Sequence, residues 1–351
     1  MKTYWSERAR RITPYTAGEQ PRDADMIKLN TNENPYPPSP LAIAAIEDFH
    51  MDKLRLYPNA SSEVLRRAAA YVHGLSPEQV FCGNGSDEVL AIAFQAFFDD
   101  ALSFCDISYS FYPVWAEMYG ISYETVPLRE DFTVPAEAFY GKKNIVLANP
   151  NAPTSLAQSR DEIEEIVRRA SGVVIIDEAY VAFGAQTALP LIKKYDNLLV
   201  VRTFSKSHGL AGLRVGYAMG HPDLIAAMNC MKDSFNSYPV DALAQRAAAA
   251  ALMDTSYAEN IAKLIIHARE YTEGALKALG FQVLPAMANF VFAKPQAGIS
   301  AQEMMQKLKK RHIYVRWFSG ARVREYLRIS IGTMRQMEQM AAVVREILET
   351  V

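Results

Sequence analysis

Cysteine is scarce in this chain: Cys82, Cys105 and Cys230 are the three among 351 residues. The count is odd, and neither a CxxC pair nor a metal-ligand spacing occurs. A disulfide framework and a metal site are therefore not expected, and reduced thiols in a cytoplasmic protein are the simplest reading. An excess of one charge is lacking too. Lys and Arg number 37 against 39 Asp and Glu, a formal net charge of -2. That balance offers no electrostatic footprint for nucleic acid or an anionic membrane. No apolar run approaches the length that spans a bilayer. The opening MKTYWSERARRITPY has no apolar h-region, so no signal peptide is expected. Repeats and low-complexity tracts are absent as well.

What is present is ordinary for a globular enzyme: half the residues are hydrophobic and 22% are charged. The length suits one large domain and a smaller one. Residues 1–40 read as an irregular arm ending in a proline cluster, either exposed or strapped over a site or partner. From about residue 78, short apolar runs alternate with helix-like stretches. Strand candidates are 79–82, 101–105, 144–149, 173–177 and 197–204. Continuous apolar runs are the mark of strands buried on both faces, and their alternation with helices implies an α/β fold with a mostly parallel sheet. The large domain is placed at 41–239. Residues 240–351 read as a smaller α+β domain: an alanine-rich helix, a long helix to about 277, then short strands near 281, 290, 313 and 326, expected to be half-exposed.

Three of the apolar runs end in polar residues. Asn149-Pro-Asn151 follows the third, Asp177-Glu-Ala-Tyr180 the fourth, and Ser205-Lys206 the fifth. Ligands of open α/β sheets bind outside the carboxyl ends of the strands, so Asn151, Asp177, Tyr180 and Lys206 can share one crevice. Gly83-Asn-Gly-Ser-Asp87, between a strand and an apolar helix, suits an anion at a helix start. Half of a dinucleotide fingerprint is also there, but Glu88 stands where the third glycine belongs; a capped turn without ligand is the bland alternative. Lys206 directly follows a buried strand, where desolvation can make its amine nucleophilic. Arg214, eight residues on, can fork onto a phosphate. Asp177 ends a run of valines and isoleucines and needs a partner. A structural ion pair is one option and a pyridinium nitrogen the other; at ~4 Å such charges attract by about 4 kcal/mol at a dielectric near 20.

Together, Asn149-Pro-Asn-Ala-Pro-Thr154, Ile176-Asp-Glu-Ala-Tyr180 and Ser205-Lys-Ser-His-Gly-Leu-Ala-Gly-Leu-Arg214 resemble the fold-type I pyridoxal-phosphate aminotransferases, in order and spacing and over nearly the whole chain. Leu29-Asn-Thr-Asn-Glu-Asn-Pro-Tyr-Pro-Pro-Ser-Pro40 and Tyr326-Leu-Arg-Ile-Ser-Ile-Gly332 are similar to the histidinol-phosphate branch. The resemblance implies a large αβα domain with a mostly parallel mixed sheet and pyridoxal 5'-phosphate as cofactor, held by Lys206 as a Schiff base. It implies that Lys206 also moves the Cα proton. Asp177 then pairs with the pyridine nitrogen, Asn151 and Tyr180 bond the phenolic oxygen, and Tyr112 stacks on the ring. Ser86, Asp87, Ser205 and Arg214 surround the phosphate, with Glu88 near that loop and Thr203 among the cofactor contacts. Tyr57 reaches the cofactor of a neighbouring subunit, which makes a homodimer part of the site. Arg328 takes the substrate carboxylate or its equivalent, and Arg316 and Tyr15 face the distal end. The implied partners are a small-molecule amino donor and a 2-oxo acid. Aromatic amino acids, or decarboxylation of threonine phosphate, are the alternatives to histidinol phosphate. Two positions depart from the pattern: Ser155 replaces a glycine, and His208 stands where an apolar or small residue is usual, read as a neutral packed histidine. Arg322 and Arg324 are expected to be solvated.

Overall fold

The computed structural model describes residues 4–16, 18–21 and 25–350. Twelve strands are found among them: β1 (Ile27–Leu29), β2 (Val80–Gly83), β3 (Leu102–Cys105), β4 (Tyr123–Val126), β5 (Asn144–Ala148), β6 (Val174–Asp177), β7 (Leu198–Thr203), β8 (Gly216–Gly220), β9 (Gln282–Val283), β10 (Phe290–Lys294), β11 (Ile313–Trp317) and β12 (Leu327–Ser330). Seven form one sheet in the order β2-β8-β7-β6-β5-β3-β4. Every pairing in it is parallel except the two made by β8. Strands β2, β3, β5 and β6 are buried at every residue, as continuous apolar runs require. Edge strand β4 exposes Tyr123, Glu124 and Thr125 and buries Val126.

Helices cover both faces of this sheet. Arg160–Arg169 begins with a capping box, Ser159 and Glu162 exchanging bonds, and buries Ile163, Ile166 and Val167; that reciprocal pairing satisfies otherwise orphaned amides. The alanine-rich helix Ala242–Met253 packs on Pro40–Glu47 and Glu63–His73. Its Ala244, Ala248 and Ala251 join Leu65 and Ala69 in the core of the larger sheet. The next helix, Thr255–Ala278, instead buries Ile261, Ile265 and Leu276 against the second sheet. The proposed division at 239/240 therefore assigns Ala242–Met253 by chain order to one domain, while its small side chains pack with the other.

The second sheet has the order β1-β11-β12-β10-β9. Its first strand comes from the arm: β1 runs parallel to β11 with Ile27 opposite Ile313 and Leu29 opposite Val315. The arm is thus partly regular. Nor is this sheet half-exposed. Phe290 and Phe292 on β10 are fully buried, meeting Tyr180 at 5.1 Å and Phe132 at 6.0 Å between ring centroids. The face expected to meet water meets the larger domain.

Arg322 departs from expectation for the same reason. It donates to the carbonyls of Leu128 and Arg129 at 2.9 and 2.5 Å, lies 5.1 Å over the Phe132 ring, and sits 3.6 Å from Asp106. Arg324 is exposed.

Candidate active site

A polar cleft opens at the carboxyl ends of β5, β6 and β7, with a volume of about 520 Å³. The order of the sheet reverses direction beside β5, because β3 and β4 lie to one side of it and β6 and β7 to the other. This is where open α/β sheets leave a crevice. Asp177, Thr203, Ser205 and Lys206 line it from the strand ends, Ser86, Asp87 and Arg214 from one side, and Tyr15, Arg316 and Arg328 from the other.

Lys206 reaches into the cleft. Its Nζ donates to the Thr31 carbonyl at 3.3 Å and lies 5.8 Å from the Tyr180 ring centroid. Burial, and then the positive charge of Arg328, lower its pKa from 10.5 to about 8. A lysine in that range supplies free amine near neutrality, which an exposed lysine does not. The backbone that carries it is clamped from the arm: Asn34 Nδ2 donates to the carbonyls of Lys206 and Ser207.

Asp177 is 5% exposed. It accepts from the Tyr112 hydroxyl at 3.0 Å and the Ala179 amide at 3.1 Å. Burial outweighs both bonds and raises its pKa to about 6. A carboxylate so placed is ready to pair with a cation brought by a ligand. Beside it, Tyr180 accepts from Asn32 at 3.0 Å, and burial raises its pKa.

The helix Ser86–Phe97 points its first turn at the cleft. Gly85 has φ +87, and a Cβ there would stand 2.6 Å from Arg214 Nη2; at Gly216 it would stand 2.4 Å from the Ser86 amide nitrogen. Both glycines let the loop, the helix start and the arginine close together. Arg214 pairs with Asp87 at 3.1 Å and donates to Ser205 Oγ at 3.3 Å. The free amides of a helix start beside a guanidinium and a hydroxyl form an anion cradle. Glu88 is not on the cleft. Its carboxylate accepts from the Asn84 amide and braces the loop from behind.

Tyr112 does not take the place expected of it. Tyr112 lies in the first turn of the helix Phe111–Tyr119, fully buried and turned to Asp177. It cannot stack on anything in the cleft. Tyr109, just before that helix, lines the cleft instead and donates to Asp87 at 2.7 Å. Asn151 is likewise turned away. Its carboxamide is occupied by Ser108, the Ile107 carbonyl and Thr154, and its neighbours Pro150 and Ala152 form the wall. Tyr57 lies outside this subunit's cleft, 83% exposed.

At the far end, Arg328 donates to the Asn30 carbonyl at 2.9 Å between the rings of Phe290 and Phe318. Arg316 donates to the Thr16 carbonyl at 3.4 Å and lies over Phe318. Tyr15 stacks on Phe111 at 4.4 Å. The arm residues Asn30, Thr31, Asn32 and Glu33 also line the cleft; their run of polar residues between Leu29 and Pro35 was the available signal. His208, half-buried against Phe204, has its pKa lowered to about 4, chiefly by desolvation. Ser155 adopts φ +66 and is fully buried. Its Oγ accepts from the amides of Met287 and Ala288, tying the wall to the second sheet's entry loop. Among the described residues no group of His, Cys, Asp or Glu could hold a metal ion.

The fold is that of the fold-type I pyridoxal-phosphate transferases, and its cleft holds the Lys206 amine with an anion cradle beside it. The chain belongs to the aminotransferase class I and II family, whose model matches residues 24–344. It is 50% identical to histidinol-phosphate aminotransferase 1 of Burkholderia pseudomallei over 355 residues, covering 99% of each chain. It is 44% identical to the histidinol-phosphate aminotransferase of Clostridium botulinum, again over 99% of each. In fold it is similar to the histidinol-phosphate aminotransferase of Sinorhizobium meliloti in complex with pyridoxal-5'-phosphate, at TM-score 0.80, 24% identity and 91% coverage of each chain.

Proposed function

We propose that this aminotransferase moves the amino group between histidinol phosphate and 2-oxoglutarate, with pyridoxal 5'-phosphate on Lys206. The observation that carries the reading is the pairing, in one cleft, of a Lys206 amine with two arginines at the far end, Arg316 and Arg328. The full-length similarity to two histidinol-phosphate aminotransferases supports it.

The residues fit the cofactor. The cradle of Ser86, Asp87, Ser205 and Arg214 suits its phosphate, closed by glycines that admit no Cβ. Asp177, buried and short of positive charge, suits its ring nitrogen. Tyr180 would suit its phenolic oxygen and Tyr109 would flank its ring, and Thr203 also lines the cleft. When bound, pyridoxal phosphate supplies an aldehyde carbon and a ring that takes up the electrons left at Cα. The chain supplies the rest. Lys206 Nζ, kept near neutrality by burial and Arg328, takes the Cα proton and returns it; such acid–base help contributes about 10²–10⁴-fold. Arg328 holds one end of the substrate. Arg316 and Tyr15 hold a phosphorylated end, where a guanidinium fork suits phosphate geometry.

The reading includes a homodimer. Tyr57 is exposed, as are Met51, Leu54, Leu56 and Phe235, each by more than half, and a partner's cleft would take it. It also includes a cytoplasmic location; no helix among the described residues is long and apolar enough to cross a membrane. The test is incubation with histidinol phosphate, phenylalanine and threonine phosphate, each with and without 2-oxoglutarate. Glutamate formed with histidinol phosphate is expected. Glutamate formed with phenylalanine alone rejects the substrate, and carbon dioxide from threonine phosphate rejects amino transfer as the main reaction.

A further inference from the structure

Tyr57 is an exposed ring on a loop held from the inside. The ring stacks on Tyr238 with centroids 4.8 Å apart. Behind it, Lys232 on the helix Pro222–Phe235 donates Nζ to the Ala60 carbonyl at 2.9 Å. Gln245 on Ala242–Met253 donates Nε2 to the Asn59 carbonyl at 3.0 Å and to the Val240 carbonyl at 2.8 Å. Both donors are buried, Lys232 at 3% and Gln245 at 4% exposure. Asn59 in turn accepts from Ser61 and the Glu63 amide. Burying a lysine is costly, and an apolar side chain would fill a helix face at less expense. Its hydrogen-bonding partners are the Ala60 carbonyl on the loop and the neighbouring Asp233 at 2.8 Å. Tyr57, carried on that loop, does not line its own subunit's cleft.

We propose that Lys232 and Gln245 are positioning residues that act in trans: they hold the 57–62 loop of one subunit so that Tyr57 meets the cofactor phosphate in the other. This rests on the shared-site reading above. A cis role is the physical competitor. Lys232 lies within electrostatic reach of Glu88, whose carboxylate braces the subunit's own phosphate loop.

The test reads pyridoxal phosphate affinity in full-length dimers. First, cofactor-free Lys232→Met, Gln245→Met and Tyr57→Phe homodimers are titrated with pyridoxal phosphate by tryptophan fluorescence. All three are expected to bind about tenfold more weakly than wild type, as loss of a hydrogen bond to a charged group implies. Two mixed dimers then assign the direction, with half-saturation by cofactor read from the one subunit that keeps Lys206. In the first, a Lys232→Met subunit with Lys206 intact is paired with a Lys206→Ala subunit. Its working site receives Tyr57 from an unaltered loop, and wild-type half-saturation is expected. In the second, a wild-type subunit is paired with a Lys232→Met, Lys206→Ala subunit. Its working site receives Tyr57 from the loosened loop, and the tenfold loss is expected. The reverse pattern overturns the proposal in favour of a cis role. Wild-type affinity in the Lys232→Met and Gln245→Met homodimers, with Tyr57→Phe weakened, overturns it and leaves the shared site standing. Wild-type affinity in Tyr57→Phe overturns the shared site itself. If Lys232→Met forms no soluble dimer, Gln245→Met carries the same two pairings through the Asn59 carbonyl.

Discussion

Removing the Tyr112 hydroxyl tests how Asp177 is kept ready for a cation. Tyr112 gives Asp177 one of its two hydrogen bonds, and the Ala179 amide gives the other. In the folded, cofactor-free chain the carboxyl pKa is about 6 rather than 3.8. Between those values the folded state holds a proton that the unfolded state has lost. The contribution of Asp177 to stability therefore falls as pH rises through that window and levels off above it. Tyr112→Phe adds to the fall. At pH 5 the carboxyl is mostly neutral, and the lost bond costs about 1 kcal/mol; at pH 7.5 it is charged, and the loss costs about 2 kcal/mol. The stability gap between wild type and variant should thus widen by about 1 kcal/mol across the window, an upward displacement of the Asp177 midpoint by roughly 0.7 pH unit. Urea denaturation of cofactor-free protein from pH 4.5 to 7.5 measures the gap, and the same substitution in an Asp177→Asn background should show no widening. A gap that stays constant with pH would refute the coupling between the two side chains.

Three further outcomes are expected. In cofactor-free protein, labelling of Lys206 by trinitrobenzenesulfonate, read by mass spectrometry, should rise with pH around a midpoint near 8; Arg328→Leu should move that midpoint upward, since the guanidinium disfavours the charged amine. Ser155→Ala leaves the buried Ala288 amide without the Oγ at 3.0 Å, a cost of about 1–3 kcal/mol in chemical denaturation; Ser155→Gly should lose less, because it is spared about 1 kcal/mol of left-handed strain. Arg322→Ala should destabilise by about 1–3 kcal/mol, where a solvated arginine would change stability by less than about 0.5 kcal/mol.

Much of the site could be read from the sequence because strand ends are a strong signal. Buried strands announce themselves as apolar runs, and the polar residue that ends each one must lie at the same edge of the sheet. Lys206, Asp177 and Tyr180 were found that way, and Arg214 by its spacing from Lys206. Choices within a turn of helix were not legible. Tyr109 and Tyr112 are three residues apart, and which one faces the cleft depends on where the helix starts. It starts at Phe111, which leaves Tyr109 outside and drives Tyr112 into the core. Asn151 shows a different limit: its position next to lining residues was correct, while the direction of its side chain was set by Ser108 and Ile107, more than forty residues earlier. The antiparallel strand β8 and the edge strand β4 escaped notice because short glycine-containing or polar segments carry no buried-strand pattern. Arg322 and the buried second sheet depend on contacts between distant parts of the chain, which no local pattern records.

The parallel pairing of β1 with β11 ties together two stretches separated by nearly three hundred residues. Tyr15 and the 30–33 run hang from one, Arg316 from the other, and their register is fixed by the ladder Ile27–Ile313, Lys28–Tyr314, Leu29–Val315. On the function proposed above, the far end of the cleft is thus inherited as a linked pair. A chimera that exchanges the arm without its matching β11 would bring in one half of the far end against a foreign edge, and changes in one stretch should be felt as epistasis in the other. The anion cradle of Ser86, Asp87, Ser205 and Arg214 lies outside that linkage, whereas Lys206, whose Nζ donates to the Thr31 carbonyl, is touched by it.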